Sequence, residues 1–225
     1  MTLPTPHYDL NLPDDVYPPS EDTFLFLDAL EKDQEFITIV VKPSLAVEIG
    51  CGSGVVSSFF LNLPDLKPKP QILCIDINLN ALEVTRATLK YNKVTGQLIR
   101  SNLLNGLEMD GKVDILLFNP PYVPTEEKAY DNLSRTYAGG AHGREELDRL
   151  LPRIPKLLSK PNGTFYLIAL KQNDIKMLCD ALKQDGIVGT VLMERRCGIE
   201  HFQCHCQVLH LHNTMDIYQC FRGVL

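Results

Sequence analysis

Leu45-Ala46-Val47-Glu48-Ile49-Gly50-Cys51-Gly52-Ser53-Gly54 is an apolar run of strand length that breaks into three glycines before a helical stretch, Val55 to Leu63, begins. Strand, glycine turn and helix in that order are the first unit of an α/β fold. Further strand-like runs follow at Gln71 to Ile75, Gln97 to Arg100, Val113 to Phe118, Thr164 to Leu170 and Gly189 to Glu194. Leu79 to Tyr91 and Asp174 to Lys183 separate them, with apolar residues at helical spacing. Leu147, Leu150, Leu151, Ile154, Leu157 and Leu158 also keep that period, and Pro152 and Pro155 predict a break within it. Ahead of the first strand, Ser20-Glu21-Asp22-Thr23 reads as a helix start, with Ser20 as N-cap, two acids in the first turn and an end near Lys32. The alternation predicts a mostly parallel sheet with helices on both faces.

The chain has 225 residues, 44% of them hydrophobic and 22% charged, a composition that suits one soluble α/β domain. No apolar stretch approaches the roughly 18 residues of a membrane span, and the first twelve residues lack the pattern of a signal peptide. Seven scattered cysteines argue for reduced thiols, so a cytoplasmic site, or also a nuclear one, is expected. A net charge of −6 and the lack of any basic run argue against a nucleic-acid partner.

The glycines let a ligand lie against bare backbone near a helix N-terminus. Their spacing departs from the dinucleotide pattern Gly-x-Gly-x-x-Gly, because Val55 stands where the third glycine belongs. Taken alone they also fit a tight turn without a ligand. Asp76 ends the second strand and can accept from both hydroxyls of a ribose. Asn102, after the third strand, can receive an adenine amino group beside the Leu103 backbone, although Asp76 and Asn102 are each also ordinary helix caps. Jointly, the three strand tips describe a pocket for adenosine.

Asn119-Pro120-Pro121-Tyr122 closes the fourth strand, where open α/β sheets hold ligands. Two successive prolines fix two φ angles, so the Asn119 amide, the Pro120 carbonyl and the Tyr122 ring are held rigidly. Acceptors and an aromatic face together suit a planar guest that carries an NH2.

Val16-Tyr17-Pro18-Pro19-Ser20-Glu21-Asp22-Thr23, the Glu48 to Gly54 loop, Asp76-Ile77-Asn78, Asn119 to Tyr122 and Ala138-Gly139-Gly140-Ala141-His142-Gly143-Arg144-Glu145 together resemble the eukaryotic branch of the HemK/PrmC family. The resemblance runs from about Val16 to Glu200. It implies a Rossmann-like S-adenosylmethionine-dependent methyltransferase, with a mostly parallel seven-stranded sheet and helices on both faces, that methylates the glutamine of the Gly-Gly-Gln loop in translation release factors. The domain is expected over residues 1–212, with an N-terminal extension at 1–19 and an irregular tail at 213–225. Carried over by position, the cofactor contacts would be Thr23, Glu48, Gly50, Gly52, Gly54, Asp76, Asn102, Leu103 and Asn119. The substrate contacts would be Asn119, Pro120, Pro121 and Tyr122, with Asn119, Pro120 and Tyr122 carrying catalysis. Family members commonly have Asp at the position of Asn102. The family also implies a small zinc-binding methyltransferase activator subunit as partner, expected at the edge strand Gln97 to Arg100.

An amide nitrogen is a poor nucleophile because its lone pair is delocalised, so two acceptors that orient and polarise its N–H bonds are what the reaction needs. The same turn serves adenine amino-methyltransferases, which makes a nucleic-acid substrate the alternative, and a chain that only binds its partner is a third possibility. The loop Tyr137 to Arg144 is expected to close over the guest. Past Glu200, Phe202, Cys204, Cys206 and Val208 alternate as in a strand, and the Cys-x-Cys spacing there lacks the usual metal-ligand pattern, so no metal is expected.

Overall fold

The computed structural model describes residues 3–125, 138–170, 173–197 and 204–213. Helix α1 (Glu21–Lys32) leads into a π-helical turn over Phe36–Val41, and then β1 (Leu45–Ile49) starts the sheet. α2 (Val55–Leu61), β2 (Gln71–Asp76), α3 (Leu79–Tyr91), β3 (Gln97–Arg100) and β4 (Ile115–Phe118) follow. Next come α4 (Glu145–Leu150), a 3-10 turn (Leu151–Arg153), α5 (Ile154–Leu157), β5 (Thr164–Leu170), α6 (Ile175–Gln184), β6 (Ile187–Cys197) and β7 (Cys204–Asn213). The expected break in the leucine-rich stretch therefore falls at Pro152 and Pro155, which divide it into three short helical pieces.

The sheet order is β3-β2-β1-β4-β5-β7-β6. β1 pairs in parallel with both β2 and β4, β2 with β3 and β4 with β5. β7 lies antiparallel between β5 and β6. The chain thus winds outward from β1 to β3 and then restarts at β4 on the other side of β1. That reversal opens a crevice above the carboxyl ends of β1 and β4.

Both sheet faces are covered, which is why β4 and β5 are buried at every position. Alternate residues divide between two cores. Ile115, Leu117, Tyr166 and Ile168 pack with Phe26, Phe59, Phe60 and Leu82 on one face. Val47, Leu116, Phe118, Phe165 and Leu167 pack with Leu147, Leu150 and Leu178 on the other. α1 is capped by Ser20, whose N–H donates to the Thr23 hydroxyl at 3.3 Å.

Several boundaries differ from expectation. Val113 makes an isolated bridge with Leu158, and β4 starts only at Ile115, because Asp114 turns aside to bind neighbouring chain ends. Its carboxyl accepts from the Ser44 N–H and hydroxyl, both at 2.8 Å, from the Leu45 N–H at 3.0 Å and from the Ser159 hydroxyl. β6 is longer than expected, Ile187–Cys197, because β7 gives it a partner along its whole length, with a bulge between Val191 and Met193. β7 reaches Asn213, inside the tail expected to be irregular. The rest of that tail, together with most of the connection from Pro124 to Gly143 and Tyr137 with it, lies outside the described residues.

Candidate active site

Strand register brings the site together. Ile49 pairs with Ile75 on one side and with Phe118 on the other, so Gly50, Asp76 and Asn119 leave the sheet at one level. Above them lies a cavity of about 790 Å³, within the size range of small-molecule sites. Of the residues singled out in the sequence, Thr23, Glu48, Gly50, Gly52, Asp76, Asn102, Leu103, Asn119, Pro120, Pro121 and Tyr122 line it.

Gly54, also expected as a cofactor contact, is not among the residues that line the cavity. It holds φ +73°, and a Cβ there would fall 2.8 Å from the Thr85 Cα, so its glycine lets α2 start against α3. Gly52 holds φ +49° and donates its N–H to Asp76 Oδ2 at 3.0 Å. The Asn78 N–H donates to Asp76 Oδ1 at 2.9 Å. Burial pushes the Asp76 carboxyl up from its ordinary value, and the backbone donors of Asn78, Gly52 and Ile77 pull it partly back. Asp76 also lines the cavity.

Glu48, near the end of β1, is buried in the cavity lining. It is 4% exposed, and it accepts a short hydrogen bond from the Ser57 hydroxyl. Burial pushes its carboxyl up to about 8, against the lowering effect of the Ser57 hydrogen bonds, and the nearby Asp76 charge adds to the rise. In the lining of the cavity it therefore holds its proton to higher pH than a solvated glutamate does. Cys51, also in the lining, is no nucleophile, because burial raises its thiol well above 9.

Asn102 is exposed, and its side-chain oxygen already accepts from Arg149 Nη2 of α4 at 3.0 Å. The acceptor expected for adenine is therefore shared with a guanidinium. Leu103 next to it holds φ +50°, a left-handed conformation costing a residue with a Cβ about 1–2 kcal/mol. Such strain is kept where neighbouring structure over-determines it, here at the rim of the cavity.

The sequence gives no sign of how the Asn119 amide is held. Its Nδ2 donates to Asp22 Oδ2 of α1 at 2.9 Å, and its Oδ1 is buried with no hydrogen-bond partner among the described residues. The turn is also clamped from behind. Asn173, 1% exposed, donates from Nδ2 to the carbonyls of Tyr122 (3.1 Å), His142 (3.1 Å) and Gly143 (3.3 Å), while its Oδ1 accepts from the Leu170 N–H at 2.6 Å. A Cβ on Gly139 would fall 2.6 Å from the Pro121 carbonyl oxygen, and one on Gly143 would fall 2.2 Å from that of Tyr122. Glycine here is a packing requirement of the Asn-Pro-Pro-Tyr turn.

The N-terminal segment supplies the remaining wall with Asp15, Val16 and Tyr17. It is tied down by Asn78 Nδ2 donating to the Asp15 carbonyl at 2.9 Å, and by Asn92, which exchanges hydrogen bonds with the His7 backbone. Only the run Val16 to Thr23 pointed to this segment, and nothing in it marked Asp15 as a wall.

A doubly wound sheet with a buried carboxylate at the end of β2 and an oriented amide after β4 has the arrangement of the Rossmann-like methyltransferase class. The chain belongs to the methyltransferase small domain family, which residues 22–142 match. It is 40% identical over 206 residues to Methyltransferase HEMK2 of Mus musculus, covering 88% of this chain and 94% of the relative. It is 36% identical over 200 residues to the eRF1 methyltransferase catalytic subunit mtq2 of Schizosaccharomyces pombe, covering 83% and 86%. Among solved structures it is similar to the E. cuniculi Mtq2–Trm112 complex responsible for methylation of the eRF1 translation termination factor. That match has a TM-score of 0.66 and 26% identity, over 89% of this chain and 99% of the matched one.

Proposed function

We propose that this protein is an S-adenosylmethionine-dependent methyltransferase that transfers a methyl group to the side-chain amide nitrogen of the glutamine in the Gly-Gly-Gln loop of a translation termination release factor. We also propose that it works as a heterodimer with a small zinc-binding activator subunit. The observation that carries the reaction is the buried, unpartnered Oδ1 of Asn119 at the end of β4. The relatives named for eRF1 methylation carry the choice of substrate.

The cavity residues fit the cofactor by their chemistry. Asp76 would hold the ribose hydroxyls, Asn102 and Leu103 would border the adenine, and Gly50 and Gly52 would leave room for the amino-acid end beside Glu48 and Thr23. When bound, S-adenosylmethionine supplies an electrophilic methyl on a sulfonium. Asn119 Oδ1 and the Pro120 carbonyl each accept one N–H of the glutamine amide, which turns the nitrogen toward that methyl. The same two acceptors stabilise the positive charge that develops on nitrogen. Tyr122 packs on the flat face of the carboxamide. No side chain has to remove a proton beforehand, because the N–H becomes strongly acidic once nitrogen is alkylated and water can take it.

The edge position of β3 supports strand addition by the partner, with Ile77 and Leu79 exposed beside it. Methyl transfer is tested with the co-expressed heterodimer on release factor and, in parallel, on DNA. We expect the Gly-Gly-Gln glutamine alone to be labelled. Asn119→Ala should keep cofactor affinity within a few-fold while turnover falls about a hundredfold. Asp76→Ala should weaken cofactor binding by at least about tenfold, from two lost charge-assisted hydrogen bonds. Unchanged turnover in Asn119→Ala would rule the mechanism out, and label in DNA alone would rule out the substrate.

A further inference from the structure

A side-chain amide is nearly symmetric in shape, so an asparagine can present either its oxygen or its NH2 to a guest, and its neighbour decides which. For Asn119 that neighbour is Asp22, 97 residues earlier in the chain and 4% exposed. An acid in the first turn of a helix normally stands in solvent and acts through the helix dipole. Asp22 is buried and has both oxygens engaged. Oδ1 accepts from the Thr23 N–H at 2.8 Å and from the Thr23 hydroxyl at 3.4 Å, and Oδ2 accepts from Asn119 Nδ2 at 2.9 Å. The Thr23 hydroxyl points its proton at Asp22 because its lone pair takes the Ser20 N–H at 3.3 Å. Hydrogen bonds thus run in one direction, from Ser20 through Thr23 to Asp22, and Asp22 has only acceptors to offer Asn119.

We infer that Asp22 is a positioning residue that fixes the polarity of the active-site amide, so that Asn119 always presents an acceptor and never a donor to the substrate nitrogen. This rests on the proposed amide-directed methyl transfer, since only a guest that brings N–H bonds needs an acceptor there. It also gives the Ser20-Glu21-Asp22-Thr23 sequence a purpose besides starting α1.

Isosteric Asp22→Asn makes the inference testable. The backbone N–H of Thr23 cannot move, so the substituted amide must keep its oxygen there and turn its NH2 toward Asn119. The Asn119 amide then flips and offers NH2 to a substrate that also offers NH2. We expect turnover on release factor by the heterodimer to fall about a hundredfold, with cofactor affinity within a few-fold and the thermal midpoint little changed. Adding Asn119→Asp to Asp22→Asn restores the pattern, since the substituted amide donates to one carboxylate oxygen and the other faces the cavity as an acceptor. Turnover should recover at least tenfold over Asp22→Asn. A purely structural role for Asp22 predicts no such recovery.

A second readout needs no substrate. The Asn119 NH2 resonance, assigned by its absence in Asn119→Asp, should exchange slowly with solvent in the wild-type heterodimer and at least tenfold faster in Asp22→Asn. Full activity in Asp22→Asn, no gain in the double variant, or fast exchange in the wild type would each overturn the inference. If the wild type left release factor unmethylated, the proposed function would fall while the exchange measurement still decided the orientation.

Discussion

Glu48→Gln should make the protein more stable at alkaline pH and change it little at pH 5. Glu48 is desolvated at the end of β1 against Ser57 and Cys74, and its carboxyl is pushed from 4.5 to about 8. Below pH 4.5 the folded and unfolded chains both hold the proton, and the group does not affect the balance. Between 4.5 and about 8 the unfolded chain releases it while the folded chain keeps it, so stability falls as pH rises, by up to about 1.4 kcal/mol per pH unit. The full effect amounts to roughly 5 kcal/mol, reduced to about 3–5 kcal/mol by solvent that reaches the adjoining cavity. Glutamine keeps the shape and an acceptor for Ser57 but cannot ionise. Urea unfolding of both proteins at pH 5.5, 7.0 and 8.5 follows the group below the range in which the buried Cys51 and Cys74 thiols ionise in the folded chain. The stability difference should widen in favour of Glu48→Gln by about 3 kcal/mol between pH 5.5 and 8.5. Parallel pH profiles for the two proteins would show that Glu48 is ionised in the native fold and that its burial has been misjudged.

Three other sites give sharp expectations. Gly143→Ala should abolish most turnover while cofactor binding survives, since its Cβ would fall on the Tyr122 carbonyl and on Asn173 Nδ2. Gly106→Ala, also at positive φ but in open space, should cost only about 1 kcal/mol of stability and leave turnover intact, as paired melts and methyl-transfer rates can establish. Asn173→Ala leaves three carbonyls and the Leu170 N–H without their partner, which should lower stability by about 2–4 kcal/mol in denaturant melts and reduce turnover besides.

Much of the fold was legible because it rests on local periodicity. Period two and period 3.6 placed β1, β3, β5 and α3 at their observed bounds, and prolines marked where the leucine-rich helix breaks. Boundaries slipped where a distant group intervened, as when Asp114 turned toward Ser44, Leu45 and Ser159 and delayed β4. The π-helical turn at Phe36–Val41 gave no signal of its own, since its β-branched residues suit a strand as well. Nothing in the sequence signalled that Gly54 packs against Thr85 of α3, since a glycine in a loop reads the same whether it leaves room for a ligand or for a neighbouring helix.

By itself the sequence determined which chemical groups stand at the strand ends: a carboxylate after β2, a rigid amide turn after β4 and glycines after β1. Residue type and local order set those positions, and both are written along the chain. Only the tertiary structure decided their states. It raised the Glu48 pKa by removing the carboxyl from water, engaged Asn102 with Arg149, and bound the Asn119 amide to Asp22. Protonation and hydrogen-bond direction depend on what packs against a group, and those neighbours come from up to 97 residues away.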